Sequence, residues 1–276
     1  MREVDNGSIM ILRSHAFAPL SIVLLLACCT TTQSAERLRV IQRFPTVEAT
    51  QAVAVDRKFF YAIGNAAIGK YDKESGRRIA GWEEVPEGPV AHLNSGSVFG
   101  GELYCAQSNY PDTPMVSSIE VFDTERMIHV RTMPLPSGLG SATWVERKDE
   151  NWWVTFAHYA GRGGEPGKGP EHTKLVRFDA DWRPRGAWSF PPAIVSRWDG
   201  MSSSGGVWID ERRLYTTGHH APEIYVLELP ASGSELRLRE ILAFESEGQG
   251  IAFDRAARHL YSIQRRTREV LVTLLP

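Results

Sequence analysis

A chain of 276 residues, 42% hydrophobic and 23% charged, has ordinary globular composition. Its length accommodates one large all-β domain. The net charge is −2, with Arg and Lys interleaved among Asp and Glu rather than gathered in blocks, so no nucleic-acid footprint is present and no nucleic-acid partner is expected.

In chain order, the first element is a leader. Residues 16–29 read AFAPLSIVLLLACC, with Arg13 just before. This run is shorter than the roughly 20 residues of a membrane span and has the size of a signal-peptide core. Acidic Glu3 and Asp5 precede it, which makes Met10 the better start. The expected division is a leader over residues 1–35 and a folded domain over 36–276. Leu25-Leu26-Ala27-Cys28 resembles a bacterial lipobox, with Cys28 as the lipidated residue. Ordinary cleavage near Ser34-Ala35 is the alternative. Either reading exports the chain to the periplasm or cell surface, and lipidation at Cys28 would hold it at a membrane surface without spanning it. Beyond the leader only Cys105 remains. It lies in an apolar run, Leu103-Tyr104-Cys105-Ala106, and is expected to be a buried, inert thiol.

From residue 38 onward one unit recurs five times. Each copy opens with a short apolar strand ending in an acidic residue or Gly, over 51–56, 95–100, 141–146, 205–210 and 249–254. A second strand begins with a hydrophobic pair: Phe60-Tyr61, Leu103-Tyr104, Trp152-Trp153, Leu214-Tyr215 and Leu260-Tyr261. A third ends in an apolar residue and a carboxylate in four copies, Tyr71-Asp72, Phe122-Asp123, Phe178-Asp179 and Leu227-Glu228. A fourth strand follows in four units only, over 77–82, 128–133, 185–190 and 236–243. The fifth unit stops at Pro276 after its third strand. The alternating stretch 38–44, Leu-Arg-Val-Ile-Gln-Arg-Phe, belongs to no unit and is free to complete the last one. An open array would leave exposed edges, and pairing the first strand with the last sheet closes it. The expected fold is all-β, a five-bladed β-propeller of four-stranded blades closed by its N-terminal strand. The units resemble the YVTN/WD40-like propeller superfamily, a resemblance that specifies fold rather than chemistry.

Propeller topology places residues on faces. Loops joining a fourth strand to the next first strand share one face, the top, with loops joining second to third strands. The first strands then open at the channel mouth with Gln51, Ser95, Ser141, Gly205 and Gln249, and Thr50, Asn94 and Ser204 lie just outside. The second-to-third loops add Asn65, Asn109, Tyr110, His158, Tyr159, His219 and His220. Of eight His, His15 is in the leader. His92, His158, His172, His219 and His220 fall on the top, and His129 and His259 on the bottom. Two insertions, 160–172 and 191–203, lengthen the same face, the second bringing Arg197, Trp198 and Asp199. Such segments serve either as binding loops or as tolerated surface insertions.

Two functional classes follow. In the first, Glu48 and Glu247, with Asn94 and Gln249 nearby, offer oxygen ligands for a divalent cation, Ca²⁺ by the hardness of the donors. His92, His158, His219 or His220 then moves a proton, and the metal polarises a carbonyl or phosphoryl oxygen. This layout resembles the propeller lactonases in kind, which implies a metal-assisted hydrolase or lyase of the lactonase or esterase type. In the second, the propeller is a non-catalytic binding module for a small molecule, glycan or protein. Gln51, Asn94, Ser204, Arg197 and Gln249 would supply polar contacts, with Tyr110, Tyr159 and Trp198 supplying aromatic surface. Trp144, Trp152, Trp153 and Trp208 are expected to pack between blades. Glu247-Gly248-Gln249-Gly250-Ile251 also resembles the Gln-Gly-Leu step of plant-type glutaminyl cyclases, which are five-bladed. Taken singly, Glu48 and Glu247 read first as solvated loop carboxylates and each His first as a loop hydrogen-bonding group, while 202–206 (SSSGG) reads as a turn or as a close backbone approach to a ligand.

Overall fold

The computed structural model describes Met1 and residues 38–275; the leader, including Cys28, lies outside the described residues. The recurrent acid at strand ends explains why the units form. Asp56 accepts hydrogen bonds from the N–H groups of Lys58 and Phe59, both at 2.7 Å. Asp72, Asp123, Asp179, Asp210 and Asp254 likewise accept backbone N–H groups two to four residues downstream. Each closes a tight turn with its own side chain, the reason Asp is favoured there. These repeated aspartates are therefore spent on fold. Where those bonds are strongest the carboxyl sits below its usual range: the Asp210 pKa is lowered to about 2, the backbone and Arg213 hydrogen bonds outweighing burial, which is the largest single effect and acts the other way.

Between these turns run twenty strands in five antiparallel sheets of four. After β1 (Arg39–Pro45), blade 1 holds β2 (Ala52–Val55), β3 (Phe59–Ile63), β4 (Ala67–Asp72) and β5 (Arg78–Glu83). Blade 2 holds β6 (Leu93–Phe99), β7 (Glu102–Ser108), β8 (Ser117–Asp123) and β9 (Ile128–Pro134). Blade 3 holds β10 (Ser141–Lys148), β11 (Asn151–Ala157), β12 (Lys174–Phe178) and β13 (Pro184–Ser189). A short helix α1 (Pro192–Val195) precedes blade 4, with β14 (Gly205–Trp208), β15 (Leu214–Thr217), β16 (Glu223–Glu228) and β17 (Arg237–Ala243). Blade 5 contributes β18 (Ala252–Asp254), β19 (His259–Gln264) and β20 (Glu269–Leu274) from the C-terminus and takes β1 as its outer strand, in the order β1-β20-β19-β18. The register pairs Arg39 with Leu274 and Phe44 with Val270, with a bulge at Ile41.

The core is a ring of wedges, each filled from two adjacent blades. Phe44, Phe60, Tyr71 and Tyr261 fill the wedge between blades 5 and 1. Tyr104 and Trp152 meet between blades 2 and 3 at 4.4 Å, and Trp153 meets Trp208 between blades 3 and 4 at 5.0 Å. All four tryptophans expected between blades are buried there. Such wedges need a neighbour on both sides, so removal of any blade exposes two of them. Cys105 is fully buried and unpaired, and burial raises its thiol pKa well above the ordinary value.

Candidate functional site

The top mouth of the channel draws side chains from three blades. His92 stands just before β6, His219 and His220 follow β15, and Arg265 lies in the β19–β20 turn. Gln249 fixes the His219 loop. It holds a left-handed backbone at φ 72°, unusual for a residue other than Gly. Three hydrogen bonds hold it there. Its N–H donates to Gly218 O at 3.0 Å, its side-chain amide to His219 O at 2.9 Å, and Thr217 Oγ1 donates to its carbonyl at 2.6 Å. Gln249 is thus a positioning residue, buried to 2% exposure, rather than a group open to a ligand.

His219 stacks edge-on with exposed His220, ring centroids 4.1 Å apart. Burial, His220, Arg265 and His92, in that order, lower the His219 pKa to about 4. Burial first and Arg265 second lower that of His92 as well. Both imidazoles are therefore neutral at physiological pH, each with one ring nitrogen able to accept a hydrogen bond. Arg265 is partly buried and has no ion-pair partner among the described residues. It lines an open cleft of about 480 Å³ with His219, His220, Pro222, Glu247 and Arg266. From His92 an aromatic wall continues into blade 3: Tyr110 lies 5.5 Å from His92 and 5.0 Å from Tyr159, ring to ring. Tyr159 is buried, and its hydroxyl donates to Ser141 Oγ at 3.3 Å, which donates to Ser108 Oγ at 2.8 Å.

The depressed histidines make a testable signature. Between about pH 6.5 and 4 the unfolded chain binds more protons at position 219 than the folded one, so His219 subtracts stability as pH falls through that window. A ring-proton titration is expected to place its midpoint near pH 4. A midpoint at the ordinary histidine value would show that the ring is open to water and far from Arg265.

Other expected site residues are placed elsewhere. His158 is 5% exposed, with Nε2 3.1 Å from Leu139 O and Nδ1 3.4 Å from the Glu165 carboxylate. It braces the 160–172 insertion, whose Ala160 N–H in turn donates to Gly200 O of the second insertion at 2.8 Å. Trp198 is not an exposed aromatic: it is 2% exposed and packs on Phe190 at 5.2 Å, in the space that Gly218 leaves open. Arg197 pairs with Glu223 at 2.7 Å on the rim. Asn94 donates to Ala142 O at 3.0 Å, Gln51 donates to Asn65 Oδ1, and the Ser204 N–H donates to Thr217 O at 3.0 Å. In the 202–206 run Gly206 lies under the Trp144 indole, where a Cβ would collide with the ring, so this close approach is to protein.

The two carboxylates expected to share a cation are committed differently. Glu48 is 6% exposed and accepts from Tyr71 Oη at 2.6 Å and Arg78 Nε at 2.9 Å, using both of its oxygens. Glu247 lies in the cleft, 3.0 Å from exposed Arg266. Among the described residues no group of three or more His, Cys, Asp or Glu is placed to hold a metal. Glu48→Ala strands the buried Tyr71 hydroxyl while half-exposed Arg78 turns to water. The expected cost is about 2 kcal/mol in chemical denaturation. An unchanged unfolding midpoint would contradict this bracing role.

Arg265 is the member of the site that sequence reading missed. Its only signal is topological, since its turn is the blade 5 counterpart of the loops carrying Asn65, Tyr110, His158 and His219.

No family model matches the chain, and no curated protein matches it. Solved structures do. The glutaminyl cyclase of Myxococcus xanthus superposes with a TM-score of 0.57 at 10% identity, covering 86% of this chain and 95% of that one. A structure named as an oxidoreductase (glucose dehydrogenase) from Thermus thermophilus gives 0.54 at 13% identity, covering 86% and 100%. The PQQ-bound aldose sugar dehydrogenase of Streptomyces coelicolor gives 0.52 at 13% identity, covering 87% and 81%. At these identities the likeness is one of fold. The chain is a β-propeller.

Proposed function

We propose that this propeller, of the YVTN/WD40-like repeat type, binds a small ligand bearing a carboxylate or carbonyl oxygen at its top mouth. Arg265 is the anchor and the neutral His92 and His219 are the hydrogen-bonding groups beside it. The observation that carries this reading is the convergence of a guanidinium without an ion pair among the described residues and two neutral imidazoles, from three different blades. A guanidinium meets a carboxylate in bidentate fashion, and a neutral imidazole beside it exchanges a hydrogen bond with the bound molecule. Tyr110 offers the ligand an aromatic face, and Gln249 holds His219 in place. With Glu48 occupied by Tyr71 and Arg78, a cation at this mouth would rely on Glu247 and carbonyl oxygens, a sparse set for Ca²⁺. Export, with lipid attachment at Cys28, is part of the same proposal and is supported by the apolar run 16–29.

A second reading draws on Glu247, whose carboxylate shares the cleft with Arg265 and suits a ligand amine. An amine at Glu247 and a carbonyl oxygen at Arg265 would suit intramolecular aminoacyl cyclisation, the activity named for the Myxococcus xanthus neighbour. In that reaction the amine attacks the side-chain amide and ammonia leaves.

The test is calorimetric titration of the full-length chain with small carboxylates and with a peptide bearing N-terminal glutamine. Arg265→Ala is expected to weaken the best ligand at least tenfold, with Arg265→Lys between the two. Release of ammonia from the peptide favours the second reading. Equal affinity in wild type and Arg265→Ala would remove Arg265 as the anchor.

A further inference from the structure

The channel's far mouth is a second cavity, of about 350 Å³, lined by the ends of β2, β6, β10, β14 and β18, one from each blade. Its charged groups differ in how they are engaged. Asp56 is used by the Lys58 and Phe59 N–H groups and by Tyr61 Oη at 2.6 Å. Asp254 is used by Lys73 Nζ at 2.6 Å and by the Ala256 and Ala257 N–H groups. Among the described residues the remaining donors are partnered only in part. Arg147 is stacked against the Phe99 and Trp152 rings, 4.1 and 4.9 Å from their centroids, and its buried Nε has no acceptor among the described residues. Ser97 Oγ is buried with no partner there either. Arg57 has no carboxylate within ion-pair distance among the described residues. Arg255 gives one hydrogen bond to Trp208 O at 2.9 Å and stands 3.6 Å from Glu146.

Glu146 is the odd member. Its side chain is 13% exposed, and Arg255 is its nearest cation. Burial, opposed only in part by Arg255, pushes its carboxyl pKa up to about 8, so near neutrality its protonated form is able to donate a hydrogen bond instead of repelling a negative charge. The other charged groups lining the cavity are Asp56, Arg57, Arg147, Asp254 and Arg255, and both aspartates are already engaged. A cavity with surplus donors and two rigidly held or half-engaged guanidinium groups is complementary to oxygen acceptors carrying negative charge.

We propose that the far mouth is a binding site for a small oxyanion, with carboxylate or phosphate oxygens received by Arg147 and Arg255 and by the hydroxyl of Ser97. This site is separate from the top-face cleft and does not depend on it.

Equilibrium dialysis of the full-length chain at neutral pH tests it, with inorganic phosphate in one arm and succinate in the other. The expected result is saturable binding of at least one probe, weakened at least tenfold by Arg147→Gln and by Arg255→Gln. The stronger arm identifies which oxyanion the site prefers. Arg255 sits on an exposed turn, so Arg255→Gln keeps the test valid should Arg147→Gln fail to fold. No binding of either probe overturns the proposal. Because a carboxylate also suits the top mouth, both probes are read in the Arg265→Gln background as well: loss of all binding in that background, which would place the anion at the top mouth, or binding there that survives Arg255→Gln, overturns the proposal too.

Discussion

Deleting residues 38–45 is expected to abolish cooperative folding, and Phe44→Ala alone to lower the melting temperature by about 10 °C. The strand contributes along two directions. Along the sheet, β1 pairs with β20 over six residue partners, from Arg39–Leu274 to Pro45–Glu269. Across the wedge, Phe44 is 5% exposed and stacks on Phe60 of blade 1 at 5.0 Å, so it joins first and last blades directly. Truncating a buried Phe costs about 3–5 kcal/mol, a large part of the roughly 5–15 kcal/mol that keeps a domain folded. Deleting the whole strand also bares the β20 edge, a template for pairing with other chains. Circular dichroism melts of the two variants check this. An unaltered melt of the deletion variant would mean that the ring holds without β1.

Glu146→Gln is expected to stabilise the protein at alkaline pH and to leave it nearly unchanged at pH 5. The folded carboxyl pKa lies near 8 against an ordinary 4.5. Between these values the folded state binds more protons than the unfolded one, so stability falls as pH rises through the window. Above it, wild type must either hold a poorly solvated charge or unfold, whereas an amide of the same shape carries no charge. The gain at pH 9 is expected on the order of 3 kcal/mol, read from urea unfolding of both proteins at pH 5 and pH 9. A constant difference across that range would show that Glu146 titrates as a solvated carboxylate.

The blades were legible because their signals are local. A hydrophobic pair opens each second strand, and an Asp that folds back on its own turn marks most strand ends. The closing strand was legible by its lack of a unit. The site was legible only in part, because a loop position fixes a face but not a direction. Glu48 precedes a first strand and so reads as a mouth ligand, yet its side chain turns away to Tyr71 and Arg78. Trp198 reads as exposed because it sits in an insertion, but the missing side chain at Gly218 leaves room for its indole in the core. Arg265 was hidden in Arg265-Arg266-Thr267-Arg268, which has the composition of a solvated turn. Glu146 was hidden in a strand, where only the depth of the far cavity sets it apart from its neighbours.

The central claim is that Arg265, His92 and His219 form one ligand pocket at the top mouth. Its most direct test is to follow the His92 and His219 ring signals by NMR while small carboxylates and amides are added to the full-length chain. At least one compound is predicted to shift both rings together in wild type, with the response lost in Arg265→Ala. If no compound moves either ring, or if the rings respond identically without Arg265, the three residues do not form a site.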